Sequence, residues 1–327
     1  MPLISDRTRI TINLFRPQRR TPDPRHAIPQ ADRDLTGKTI VMTGGTDGIG
    51  RVAAGMLCDM GANLVLLGRR QAVGDRVIRE LAATGGAGTV SFQVCDLASM
   101  DSVKACAERI LAAHDRIDVL INGAGVNATR PTFTEDGFEM NWAVNYLAPI
   151  LLTRLLADRI TASAPARIVY LVTNLAFLDR INMDEIAAKP DFATSEAYVE
   201  SKLSGSMFMI DLAQELESKG VTVNYLHPGN IRSNLLRDLT GADRIMGYVI
   251  RVAASPTEVG ADRIVRLAAS SEFDGITGAY LVEDTVRPAH PEAQNASQRK
   301  QLSRITERAL KNWLPADEPA SGEAVLL

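Results

Sequence analysis

Cysteine is scarce in this chain. Its three thiols, Cys58, Cys95 and Cys106, form no C-x-x-C pair and have no histidine close by in sequence. That spacing excludes a disulfide framework and a thiolate metal site, so reduced, partly buried thiols and no bound metal are expected. Long apolar runs are also missing. The best candidate, Val144 to Ala157, is interrupted by Asn145 and Arg154, short of the roughly 18 uninterrupted apolar residues of a membrane span. Residues 1–33 lack the apolar core of a secretory signal, and the cytoplasm is the expected location. No charge sign dominates either. The 36 Lys and Arg stand against 39 Asp and Glu, for a net charge of −3, which offers no global attraction to nucleic acid or an anionic membrane. Neither is expected as a partner.

What is present is a globular composition. Hydrophobic residues make up 46% and charged residues 23% of the 327, enough for a sizeable core. Residues 1–33 carry seven Arg against three Asp and are rich in proline without a helical or strand period. They read as an arm, solvated, loosely docked or anchoring another subunit or surface. From Lys38 onward, β-branched runs alternate with longer helical patterns. The predicted strands are Thr39–Thr43, Asn63–Leu67, Thr89–Val94, Ile117–Ile121, Ile168–Thr173, Val221–Leu226 and Ala279–Val282. Several are apolar throughout, which suits strands covered on both faces, and helices between them imply βαβ units. The expected fold is α/β: a doubly wound, seven-stranded, mostly parallel sheet flanked by helices, in a single domain over 34–313, with a loose tail over 314–327. Ligands of such sheets bind beyond the carboxyl ends of the strands.

The first strand runs into Gly44-Gly45-Thr46-Asp47-Gly48-Ile49-Gly50 and then a helical pattern. Glycines there let the backbone approach a pyrophosphate, while the helix N-terminus offers unpaired N–H groups and partial positive charge. The second strand ends at Gly68-Arg69-Arg70, where an NAD site usually carries an acid on the ribose hydroxyls. Two guanidiniums fit a 2′-phosphate, so NADP(H) is favoured, the alternative being that they merely open the next helix in solvent. Asp96, before Leu97, either accepts from an adenine amino group or belongs to the cap of the following helix.

These residues resemble the short-chain dehydrogenase/reductase family, and later motifs follow in the family's order. Asn122-Gly123-Ala124-Gly125 is similar to its N-N-A-G, Asn145 to its helix Asn, Tyr198-Val199-Glu200-Ser201-Lys202 to its Y-x-x-x-K, and His227-Pro228-Gly229 to its P-G turn over the nicotinamide. The likeness spans Leu35 to Trp313 and is nearest to retinol-dehydrogenase-like and protochlorophyllide-reductase-like members, through Phe133–Phe138, Arg167–Val169 and Pro291–Gln294. The resemblance implies an NADP(H)-dependent oxidoreductase acting on a carbonyl or alcohol. Tyr198 would be the general acid/base, Lys202 would tune it and hold the ribose, and Asn145 would complete a relay through water to Lys202. Gly44, Thr46, Asp47, Gly48, Ile49, Gly50, Arg69, Arg70, Asp96, Leu97, Asn122, Gly123, Ala124, Pro228, Gly229 and Ile231 would line the cofactor. The family's catalytic Ser is aligned with Asn174, whose amide would donate in its place, with the Thr173 hydroxyl one residue earlier. Reduction of a C=C or C=N bond, and a cofactor-binding protein with little catalysis, are the other open readings.

Residues 230–254 mix leucines, isoleucines and methionine with arginines. By resemblance they form a substrate lid suited to a hydrophobic small molecule; the alternative is plain packing. Helical patterns Phe138–Ile160 and Ala197–Lys219 are apolar on more than one face. With the family's habit of pairing these helices, a homodimer or homotetramer is expected, unless the chain's own tail covers them.

Overall fold

The β-branched runs pair side by side in a computed structural model of the protein, which describes residues 19–128, 130–174, 181, 183, 194–232 and 254–314. The strands are β1 (Thr39–Thr43), β2 (Asn63–Gly68), β3 (Thr89–Val94), β4 (Val119–Asn122), β5 (Ala166–Leu171), β6 (Val221–His227), β7 (Tyr280–Val282) and β8 (Thr285–Arg287). They form one sheet in the order β3-β2-β1-β4-β5-β6-β7-β8. β1 to β7 run parallel and β8 returns antiparallel to β7. The expectation of seven strands is therefore corrected to eight. The added hairpin turns at Glu283 and Asp284, with Glu283 at φ 57°. No Asn-Gly or Asp-Gly pair marks such a turn in the sequence. Ion pairs support it instead: Asp284 bonds Arg263 at 2.8 Å and Arg266 at 3.0 Å.

Successive residues of a strand face opposite sides of a sheet, and here both sides are covered. Ile40, Met42, Leu64, Leu66, Val169 and Leu171 share a core with α1 (Gly48–Asp59), α2 (Gln71–Ala83) and α6 (Thr257–Ala269). Val41, Val65, Leu67, Ile168 and Tyr170 share the other with α3 (Met100–Ala113), α4 (Ala148–Ala162), α5 (Thr194–Leu216), α7 (Pro291–Gln294) and α8 (Ala296–Leu310). This two-sided burial explains strands that are apolar at every position. The three cysteines are buried free thiols, and no helix among the described residues is long and apolar enough to cross a membrane.

The helical pattern from Phe138 is not one α-helix. A helical turn at Met140–Trp142 leads into a π-helical turn, Ala143–Leu147, and then α4. Helix α5 is apolar around its circumference because it packs on β6 and is covered by α7 and α8 of its own chain. Met207 and Met209 are fully buried, and Arg299 of α8 bonds Asp211 of α5 at 2.6 Å. Much of the α5 surface is thus covered within the chain, while Phe208 and Ile210 are only partly buried.

The end of the Arg- and Pro-rich arm is docked. Ile28 is buried, Arg20 donates to the carbonyl of Ala254 at 3.4 Å, and Asp32 accepts from the Ser271 N–H at 2.8 Å. Residues 1–18, residues 233–253 of the expected lid, and residues 315–327 lie outside the described part.

Arg263 and Arg266 are 3% and 1% exposed, and both depend on Asp284. Removing one partner of a buried ion pair strands the other charge. Asp284→Ala should therefore lower unfolding stability by about 3 kcal/mol in a urea titration, whereas Asp47→Ala, at an exposed helix cap, should cost only about 1 kcal/mol.

Candidate active site

The glycine-rich turn lies where β1 gives way to α1, beside the carboxyl end of β4. Thr43 closes the gap, its hydroxyl accepting from the N–H groups of Gly123 at 3.0 Å and Ala124 at 3.2 Å. Gly44 has φ 76°, and a Cβ there would lie 2.7 Å from the Ala124 nitrogen. Only glycine allows that approach. Gly48, at φ 54°, opens α1; its Cβ would meet nothing within 4 Å, so the backbone there faces open space. Asp47 caps the helix by accepting from the Gly48 N–H at 2.8 Å. An open glycine turn on a helix N-terminus, at the point where the strand order reverses between β1 and β4, fits the pyrophosphate of a dinucleotide.

The residues expected along that cofactor are distributed around this point. Thr46 packs near Gly68 at the end of β2. Arg69 and Arg70 follow, both exposed and without an ion pair among the described residues. Asp96 splits its duties: one carboxylate oxygen accepts from the Ala98 N–H at 3.0 Å, while the cap of α3 is Ser99. Leu97 is nearly buried. Asn122 turns its amide toward α4, donating to the Thr153 hydroxyl at 3.1 Å, and its Oδ1 is buried with no partner. Ile49 and Ile231 meet over Gly260 of α6, each within about 3 Å of where a Cβ would stand, which joins the glycine turn to the segment after β6.

The candidate catalytic side chains converge at the carboxyl end of β5. Tyr198 and Lys202, one turn apart on α5, are 7% and 4% exposed. The Thr173 hydroxyl hydrogen-bonds the Tyr198 phenol and favours its ionised form, but burial acts more strongly and pushes the phenol up to about 12. Lys202 donates from Nζ to the carbonyl of Leu171 at 2.9 Å, and burial brings it down to about 8. Burial takes water from both groups and drives each toward its neutral form. Asn145 holds the neighbourhood together. Its Oδ1 accepts from the Val126 N–H at 2.8 Å, and its Nδ2 donates to the Val126 carbonyl at 2.9 Å and the Ser201 hydroxyl at 3.0 Å.

The hydroxyl that bears on the Tyr198 phenol is that of Thr173, two residues past β5. Asn174 is half-buried, and its Oδ1 has no hydrogen-bond partner among the described residues. One group was missed altogether. Arg263 donates to the Pro228 carbonyl at 2.7 Å and is held by Asp284, so it fixes the turn in which Gly229 takes φ 93°. A helical arginine carries no such message in sequence.

Comparison with known proteins bears on what this geometry is for. A family profile described as short chain dehydrogenase matches residues 38–243. Retinol dehydrogenase 14 of Mus musculus is 35% identical over 305 residues, covering 88% of this chain and 91% of that protein. Retinol dehydrogenase 13 of Homo sapiens is 32% identical over 274 residues, covering 82% and 83%. Among solved structures, an uncharacterized protein from Mycobacterium paratuberculosis has a TM-score of 0.67 at 25% identity, covering 87% of this chain and 96% of that one. A protein described as an NAD(P) dependent gluconate 5-dehydrogenase from Beutenbergia cavernae, with NADP bound at low occupancy, has a TM-score of 0.62 at 27% identity, covering 77% and 97%.

His227, at the end of β6, is buried beside the site, and burial with the nearby Arg263 charge brings it down to about 3 from 6.5. The folded state keeps it neutral while the unfolded chain protonates it below about 6.5, so stability drains away as pH falls from there toward 3. Urea titrations between pH 7 and pH 4 should show a shallower loss for His227→Gln than for the wild type.

Proposed function

The chain belongs to the short-chain dehydrogenase family, and from that premise we propose that it transfers a hydride between NADP(H) and the carbonyl or alcohol carbon of a hydrophobic small molecule, with Tyr198 as general acid/base. The observation that carries this is Tyr198 and Lys202 buried one turn apart on α5, with Lys202 Nζ on the Leu171 carbonyl at the end of β5. Bound NADP(H) supplies or accepts the hydride at its nicotinamide. Tyr198 stays protonated across the physiological range, so in the reductive direction its hydroxyl is ready to give a proton to the substrate oxygen. The Thr173 hydroxyl, which already favours the ionised phenol, can give its one hydrogen bond either to the tyrosinate left behind or to the developing alkoxide. Lys202 brings positive charge to the same spot, where low dielectric magnifies it.

The preference for NADP(H) rests on Arg69 and Arg70, exposed, free of ion pairs among the described residues and placed just after β2, where the adenine ribose of a bound dinucleotide would end. The open glycine turn fits such a group, which Asp96, Leu97, Gly229 and Ile231 would help to hold. The hydrophobic substrate class is supported by the retinol dehydrogenase relatives. The Thr173 contact weighs against a weakly active cofactor-binding protein, because the hydroxyl whose loss motivated that reading is present.

Two measurements test the proposal. With all-trans-retinal and NADPH, Tyr198→Phe should reduce turnover by a factor of about 10²–10⁴ while leaving NADPH affinity near wild type. Thr173→Ala should cost a factor of about 10²–10³, and Asn174→Ala far less. Arg69→Ala with Arg70→Ala should weaken NADPH by about tenfold or more with little effect on NADH. Equal affinity of the wild type for both dinucleotides, or full turnover by Tyr198→Phe, would contradict it.

A further inference from the structure

Tyr170 is the fourth large group at this junction, and nothing so far gives it a task. It lies in β5 with its side chain 1% exposed. Its hydroxyl donates to the main-chain carbonyl of Asn145, in the middle of the π-helical turn. Such a turn offsets the helical hydrogen-bond ladder and leaves carbonyls to outside donors. Burial raises the Tyr170 phenol well above its ordinary range, so it remains a donor. The ring fits because α5 has Gly205 opposite it; a Cβ there would come 2.6 Å from the ring's Cζ.

The same ring faces the lysine. Lys202 Nζ stands 5.6 Å from its centroid, a distance at which the ring face attracts a cation. Around the ammonium are thus the Tyr170 ring, the Leu171 carbonyl and the backbone at Gly125, where a Cβ would be 3.2 Å from Nζ and 3.3 Å from Asn145 Oδ1. Asn145, held by Tyr170 through its carbonyl, in turn grips Ser201, the residue before Lys202. The contacts close into a ring: β5 to the π-helical turn, the turn to α5, and α5 back to β5.

We propose that Tyr170 is a positioning residue, whose hydroxyl on the Asn145 carbonyl and whose ring beside Lys202 hold that lysine in place and keep water from it. The inference rests on the oxidoreductase reading for its effect on turnover, but not for its effect on the lysine itself. The titratable groups around Lys202 are Tyr198 on its own helix, Tyr170 from β5, and Tyr146 of the π-helical turn, which lies next to Tyr170. Burial depresses Lys202, against the Leu171 carbonyl and the Tyr170 ring face, which favour the ammonium. Admitting water should therefore move it back toward an ordinary lysine.

The test uses the full chain labelled with ¹³C-lysine, titrated by NMR with and without Tyr170→Leu, which removes both the hydroxyl and the ring, together with steady-state kinetics. The variant should raise the Lys202 midpoint by about one unit. It should lower kcat by about tenfold while KM and the NADPH dissociation constant stay within about twofold. Gly205→Ala, which crowds the ring from the other side, should move the midpoint in the same direction and serves if the first variant fails to fold. A Lys202 midpoint unchanged in a folded variant overturns the inference whatever kcat does. Absence of wild-type turnover on any carbonyl would overturn the oxidoreductase reading alone and leave the midpoint to decide this one.

Discussion

A lysine ammonium buried with no carboxylate partner among the described residues, and bonded to one strand carbonyl, sets the terms for everything around it. Lys202 reaches from α5 to the carbonyl of Leu171 at 2.9 Å, which pins the helix to the end of β5. An ammonium in a low-dielectric setting is costly unless its neighbourhood is fixed. The neighbourhood here is fixed from three sides, by Asn145 binding Val126 and Ser201, by Thr173 on Tyr198, and by Tyr170 on the π-helical turn. The cost of holding the lysine in this setting keeps its charge labile, with a midpoint near 8. A group poised there is responsive to a ligand's charge in a way that a solvent-exposed lysine is not.

The cofactor side follows a similar logic of close approach. Thr43 accepts two N–H groups from the loop after β4, and glycines at 44 and 123 let the two chain segments touch. The far side of the site is tied down by charge. Arg263 spans from the Pro228 carbonyl to Asp284, so the turn after β6 is connected to the β7–β8 hairpin at the edge of the sheet. A small hairpin that contributes three-residue strands thereby has a place in the architecture of the site.

Much of the fold was legible because parallel strands covered on both faces leave an unbroken apolar signature. β1 and β3 coincide with their predicted limits, and the others shift by one to a few residues at their ends. β8 was not legible, since its turn is supported by Asp284 pairing with distant arginines and not by turn-forming residues. The π-helical turn was hidden for a related reason: Asn145 and its neighbours carry a helical pattern, and only the Tyr170 hydroxyl arriving from β5 distinguishes the turn from the α-helix around it. In the site, the Tyr198 and Lys202 spacing was plain, whereas spacing on a helix says nothing about burial, which raises the phenol here.

The central claim is that a proton from Tyr198 and a hydride from a bound dinucleotide reach the two ends of one C=O bond. Incubation of the full chain with NADPH deuterated at both C4 positions and a hydrophobic aldehyde, with the product analysed by mass spectrometry and NMR, tests this most directly. The account predicts deuterium on the carbinol carbon. Deuterium on a carbon conjugated to the carbonyl, or unlabelled product, would contradict it.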